Sequence, residues 1–297
     1  MSEINNTLAE VKRYKKRSLL SETWRRLRKN KMAMVGLGVI LLLILLAIFA
    51  NFIADYDTVV IMPDYAHALE GPSAKHWFGT DNMGRDIFAR IVHGTRVSLK
   101  VGLISVAVSL TIGGILGAVA GYYGGKLDNV IMRFMDILLA VPSILLAITI
   151  VAALGTSIFN MMLAIGISGV PGYARIVRAA VLSVKDQEYV EAARAIGAKN
   201  GTIIFREIIP NCMAPIIVQV TLSVASAILS TASLSFIGLG VQPPAPEWGA
   251  MLSEGRNYMR DAIHLTLFPG LAIIITVLAL NLFGDGLRDA LDPRLKQ

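Results

Sequence analysis

Few residues of this 297-residue chain have the types and spacing to do chemistry. No H-E-x-x-H zinc helix, Walker A phosphate loop or G-x-S-x-G nucleophile elbow occurs, so no catalytic residue and no metal ligand is assigned. The lone cysteine, Cys212, excludes an internal disulfide and a cysteine-based metal cluster and is read as a small packing residue. Asp81 and Asp86 suggest a metal or amine site, but Trp77 and Phe78 beside them favour a small ordered cap on a membrane. Two polar features remain. Residues 186–211, DQEYVEAARAIGAKNGTIIFREIIPN, interrupt long apolar runs, with Arg175, Arg178, Lys185, Arg194, Lys199 and Arg206 in or just before them. Ser223, Ser226, Ser230 and Ser233 recur at i, i+3, i+7 and i+10, one helical face. That face either hydrogen-bonds to a neighbouring helix or lines a wetted path.

The elements that must carry these features are membrane spans. The chain is 55% hydrophobic and 16% charged, against about 25% charged in a soluble domain, and its mean hydropathy is +0.61. Several apolar runs reach the ~20 residues that cross a ~30 Å hydrocarbon core. The expected fold class is all-α: a polytopic membrane protein of six transmembrane helices with both termini cytoplasmic. Residues 1–31 form a basic tail whose SETWRRLRKNK run either lies on an anionic lipid surface or simply fixes orientation. Residues 32–95 hold the first span (32–53) and a long acidic extracytoplasmic loop. Residues 96–285 form the core, and 286–297 a cytoplasmic tail.

Within the core the second span is expected over 97–121. There Ser105, Ser109, Gly113, Gly117 and Gly121 recur every four residues and form a small-residue stripe for close helix packing. The uncharged run 137–174 is too long for one crossing, so Gly155-Thr156-Ser157 is expected to divide it into the third and fourth spans, with Pro142 and Pro171 as kinks. Arg133 and Asp136, spaced i,i+3, are expected to pair. The fifth span covers 213–240 and the sixth 265–283. In this arrangement Lys75, Arg85, Arg90, Arg96, Lys100, Arg256 and Arg260 lie outside and the rest of the 28 basic residues inside, as the positive-inside rule requires. No span has a charge near its centre, so a coupling relay of the kind used by secondary transporters is missing. Energy for transport would then enter through 186–211.

That stretch reads as a two-helix elbow. Asp186 is the expected N-cap, Glu188 and Glu191 suit the first turn, and Glu191 can pair with Arg194. Tyr189, Ala192, Ala193 and Ile196 form one apolar face, shallow at the alanines, and Gly197 is placed as the C′ residue. A second short helix near 202–208 leads to Pro210. The elbow either receives another protein or lies flat on lipid.

EAARAIG (191–197), followed after nine residues by E-I-I-P, resembles the EAA loop of bacterial ABC importer permeases: Glu191, Ala192, Ala193, Gly197 and Pro210 match, while Glu207 and Ile209 stand where the pattern has Ile and Leu. HWFGTDNMGRDIFARIVHGTRVSL, QPPAPEWGAML and GDGLRDALDPRLK extend the resemblance, along nearly the whole chain past the tail, to the C-type subunit of the dipeptide/oligopeptide (and nickel) permease family. The resemblance implies the type I ABC importer permease fold in the bacterial cytoplasmic membrane. It implies as partners a second homologous permease, two cytoplasmic ATPase subunits, an extracytoplasmic solute-binding protein, a peptide substrate and membrane lipid. No cofactor and no nucleic acid are implied. By position, Glu191, Ala192, Ala193, Gly197 and Pro210 would couple to the ATPase, and Ser223, Ser226, Ser230 and Ser233 are candidates to line the path. Nickel, glutathione or another small solute is the alternative cargo, and a secondary transporter or a membrane receptor the alternative class.

Overall fold

A computed structural model describes residues 19–291; the readings made above on residues 1–18 of the basic tail and on 292–297, which include the DPRLK end of the last motif, lie outside them. Among the described residues there is no β-strand; helices follow one another along the chain. They are α1 (Leu19–Leu27), α2 (Lys31–Ile53), α3 (Ile87–Tyr123), α4 (Gly125–Leu139), α5 (Ser143–Leu154), α6 (Ile158–Leu182), α7 (Glu188–Ala195), α8 (Met213–Phe236), α9 (Trp248–Gly255) and α10 (His264–Leu291). Four of them, α2, α3, α8 and α10, are long and apolar enough to cross a membrane, and α4 with α5 makes a fifth if that bent pair is one span. The expected fourth crossing falls on α6, whose 25 residues suffice in length but whose second half carries Arg175 and Arg178.

The centre of the bundle is the contact of α3 with α6. Ser105, Ser109, Gly113, Gly117 and Gly121 are all buried, as the four-residue stripe predicts. A methyl group added at Gly113 would lie 2.5 Å from the Val170 carbonyl oxygen, and one at Gly117 would run into the Ala174 carbonyl. Only glycine permits backbones this close. Ser109 adds a hydrogen bond, donating from Oγ to the Gly166 carbonyl at 2.6 Å. Around this pair a common apolar core joins Val101, Met161, Ile228, Leu234, Trp248 and Leu280.

Boundaries shift where local capping overrides the hydropathy pattern. The second span begins at Ile87 rather than 97, because Asp86 caps it by accepting from the Ala89 N–H. The sixth runs from His264 to Leu291, well past 283, because Gly286 lets the helix end lie against Ala33 at the start of α2. The split at 155–157 is where expected: α5 ends at Leu154 and Ser157 caps α6 by accepting from the Asn160 N–H. Pro171 sits inside a continuous α6. Pro142 does more than kink its helix. The chain turns by 88° between α4 and α5, so the expected third span is not one straight rod.

The charges meet long-range partners. Asp136 pairs with Arg175 at 2.6 Å instead of with Arg133, since α6 passes alongside α4. Asp128 accepts from Arg178 Nε and Nη2, both at 2.6 Å, a bidentate pair.

Residues 55–86 fold into an ordered cap. Phe78, not Trp77, anchors it: Phe78 stacks on Phe268 at 4.1 Å, whereas Trp77 is 64% exposed and only leans on Phe88. Asp81 and Asp86 are engaged within the chain. Asp86 also accepts from His76 at 2.8 Å, and Asp81 pairs with Arg85 at 2.7 Å. Arg85 and Arg90, both buried, reach across to Glu254 at 3.0 and 3.2 Å. This four-charge cluster ties the cap to α9.

Candidate functional site

The elbow begins where α6 ends. Gln187, rather than Asp186, occupies the N-cap position of α7, and it makes no side-chain capping bond. The C-terminus matches expectation. Gly197 has φ +81°, its N–H donates to the Arg194 carbonyl at 3.0 Å, and the Ala198 N–H donates to the Ala193 carbonyl at 3.1 Å. This paired closure is a Schellman motif, which needs a left-handed residue at C′. The second arm is helical over 200–211 and contains a wide turn, Ile203–Ile208, in which the Ile209 N–H donates to the Ile204 carbonyl five residues back. Tyr122 Oη at the end of α3 donates to Asn200 Oδ1 at 2.9 Å and pins this arm.

The elbow has two sides of opposite character. Val190, Ile203, Ile204, Ile208 and Cys212 are buried and form one core with Val177, Val181 and Ile216 of the spans. The other side is open. Tyr189, Glu191, Ala192 and Gly197 are exposed, Ala193 is half-buried, and Ile196 is 85% exposed. Of the expected apolar stripe, Tyr189, Ala192 and Ile196 therefore face outward and Ala193 turns partly inward. Glu191 and Arg194 form no ion pair among the described residues, which leaves the Glu191 carboxylate at the surface. Pro210 is exposed at the far end. Partial burial, with Cys212 and Glu207 nearby, raises the Tyr189 hydroxyl above its ordinary range, and burial raises the Cys212 thiol. Both groups stay neutral near pH 7.

The serines of α8 divide. Ser223, Ser226 and Ser230 line a cleft of about 280 Å³ together with Ser105, Ser109, Ser143, Ser168, Tyr173 and Gln219. Ser233 does not line it; its Oγ donates to the Leu229 carbonyl on an exposed face. The continuation of the face runs the other way, to Gln219, whose Nε2 donates to Ser223 Oγ at 3.0 Å. Gln219 and Tyr173 were absent from the sequence-derived candidates. Gln219 was readable, because it lies at i−4 from Ser223 on the same helical stripe. Tyr173 was not, because only the packing of α6 against α3 and α8 directs it there.

The cleft can offer hydroxyl and amide hydrogen bonds to a solute, and the elbow a shallow surface to a protein. Residues 113–297 match the family described as binding-protein-dependent transport system inner membrane component, and residues 18–72 the N-terminal TM domain of oligopeptide transport permease C. The dipeptide transport system permease protein DppC of Alkalihalophilus pseudofirmus is 52% identical over 93% of this chain and 90% of its own length. The glutathione transport system permease protein GsiD of Escherichia coli O6:K15:H31 is 49% identical over 98% of this chain and 96% of its own. Among solved structures, an inward-facing MetNI methionine ABC transporter chain superposes with a TM-score of 0.57 at 18% identity, covering 68% of this chain and 96% of that one, a likeness of fold. With the fold of an importer permease, an open elbow and relatives along nearly its whole length, the chain belongs to the binding-protein-dependent transport system inner membrane components, as a C-type permease of the dipeptide/oligopeptide ABC importer group, a multi-pass protein of the bacterial inner membrane.

Proposed function

We propose that this chain forms half of the translocation path of an importer for short peptides. It works with a second homologous permease, two cytoplasmic ATPase subunits and an extracytoplasmic solute-binding protein. The observation that carries the cargo is the 52% identity to a dipeptide permease over 93% of the chain. In this reading the chain crosses the membrane six times with both termini inside, and residues 96–285 form the transport core. The elbow at 186–211 faces the ATPases, the cap at 55–86 faces the binding protein, and Ser223, Ser226 and Ser230 border the path.

Coupling runs through the exposed side of the elbow. Glu191, Ala192, Ala193, Gly197 and Pro210 form the surface an ATPase groove receives, with the two alanines admitting close approach. The buried side is continuous with the feet of α3, α6 and α8. A push on the elbow therefore reaches all three helices through packed side chains rather than through a flexible linker.

A second reading, glutathione as cargo, is favoured by the 49% identity to a glutathione permease over 98% of the chain. The test is uptake by the complete transporter in proteoliposomes loaded with ATP, comparing labelled L-alanyl-L-alanine, glutathione and Ni²⁺. ATP-dependent dialanine uptake exceeding the other two is expected. Faster glutathione uptake would replace the first reading with the second, and transport of Ni²⁺ alone would overturn both.

A further inference from the structure

The cleft between α3, α6 and α8 has a chemistry that selects among solutes. Its lining contains no charged residue at all. Its polar groups are hydroxyls and one amide, each able to donate and to accept. Several are already engaged: Ser109 with the Gly166 carbonyl, Ser168 with the Ile165 carbonyl, and Ser226 with the Leu222 carbonyl. Two of the buried ones are not: Ser105 is 1% exposed and Tyr173 3%, and neither the Ser105 Oγ nor the Tyr173 Oη has a hydrogen-bond partner. Both side chains line the cleft. Buried polar atoms without partners are uncommon and costly, and two in one lining mark a place where an incoming group completes the bonding.

We propose that this cleft is a solute-contact site within the permease, and that it takes the neutral N–H and C=O groups of a peptide backbone. Ser105, Tyr173 and Gln219 are the contacting residues. The inference rests on the peptide-import reading above and deepens it. A backbone amide offers one donor and one acceptor, which hydroxyls satisfy without a fixed charge. A free divalent cation is excluded by the same lining, because hard cations call for carboxylates and transition metals for imidazole or thiolate, and the lining has none of these. An uncharged lining also suits transport: contacts of this kind are weak, so a solute that enters can leave again.

The experiment uses the complete transporter in nanodiscs, where both faces are open to solution. Cys212 is the only cysteine, so Cys212→Ala with Ser226→Cys places one thiol on the cleft wall. The rate of its labelling by a charged methanethiosulfonate reagent is measured with L-alanyl-L-alanine, with NiCl₂ and with neither. Dialanine is expected to slow labelling at least ~3-fold and NiCl₂ to leave it unchanged. Tyr173→Phe and Ser105→Ala, which remove one oxygen each, should raise the dialanine concentration needed for protection by roughly 2- to 10-fold, the scale of one lost hydrogen bond. Copurification of the subunits checks assembly of each variant. Labelling unaffected by dialanine, or protection unchanged in both variants, overturns the site, as does protection by NiCl₂. These outcomes are separate from the uptake assay: dialanine import without protection removes this site and leaves peptide import standing, while protection without import does the reverse.

Discussion

The cap and the elbow are the two ordered polar regions of the molecule, and they are held together in opposite ways. The cap is closed by charge. Asp81, Arg85, Arg90 and Glu254 form an internal cluster in which both arginine side chains are only 1% exposed, and Glu247, also buried, caps α9 while accepting from Ser98 Oγ. The elbow is closed by oil. Its core is Val190, Ile203, Ile204 and Ile208, while its acids and bases point outward without partners from their own arm. A region that spends its charges internally is complete by itself. One that keeps Glu191, Tyr189 and Ile196 at the surface leaves them free for the docking proposed above, and in that reading its stability and its function can be altered separately.

The largest test of this contrast falls on the cap. Arg85→Leu leaves Asp81 and Glu254 buried with Arg90 alone, and removing one partner of a buried ion pair costs about 3–5 kcal/mol. The variant is expected to melt far below the wild type in detergent, or not to accumulate. A loss below about 1 kcal/mol, the scale of an exposed pair, would break the distinction between the two regions. Next comes Glu191→Lys in the elbow. It reverses an exposed charge, so stability should stay within about 0.5 kcal/mol, while uptake by the complete transporter falls at least ~10-fold if the elbow couples as proposed. Wild-type uptake in that variant would remove Glu191 from the coupling surface. At Gly197 the expected effect is on stability alone. A methyl group there meets open space, so Gly197→Ala costs only the left-handed conformation, about 1–2 kcal/mol. Gly197→Asn should cost less, since asparagine adopts that conformation more readily, and the two melting curves together separate backbone strain from lost contact.

What the sequence reveals follows from the range of the interaction involved. The four-residue stripe of α3, the break at Gly155 and the Schellman glycine at 197 are local patterns, and each appears in the fold at its expected position. Interactions between distant segments were not legible. Arg133 looked like the partner of Asp136 by spacing, yet α6 brings Arg175 to it from 39 residues away. Pro142 marks a bend, but its 88° depends on where α4 and α5 pack. Of the serine face, spacing alone found the three residues on the cleft and also Ser233, because a helical stripe continues after the neighbouring helix has diverged. Tyr173 was invisible for the same reason: its place depends on a three-helix contact.

The glycine contacts between α3 and α6 carry a mechanical consequence. At Gly113 and Gly117 the two backbones touch with no side-chain layer between them. Sliding between packed helices is accommodated by small adjustments of interdigitated side chains, and at these two positions there are none to adjust. The pair is therefore a single beam with the elbow fixed to one end. In the transport reading proposed above, a rearrangement that opens and closes the cleft is expected along α8, whose contact with α3 is made through side chains such as Ile228 beside Gly102.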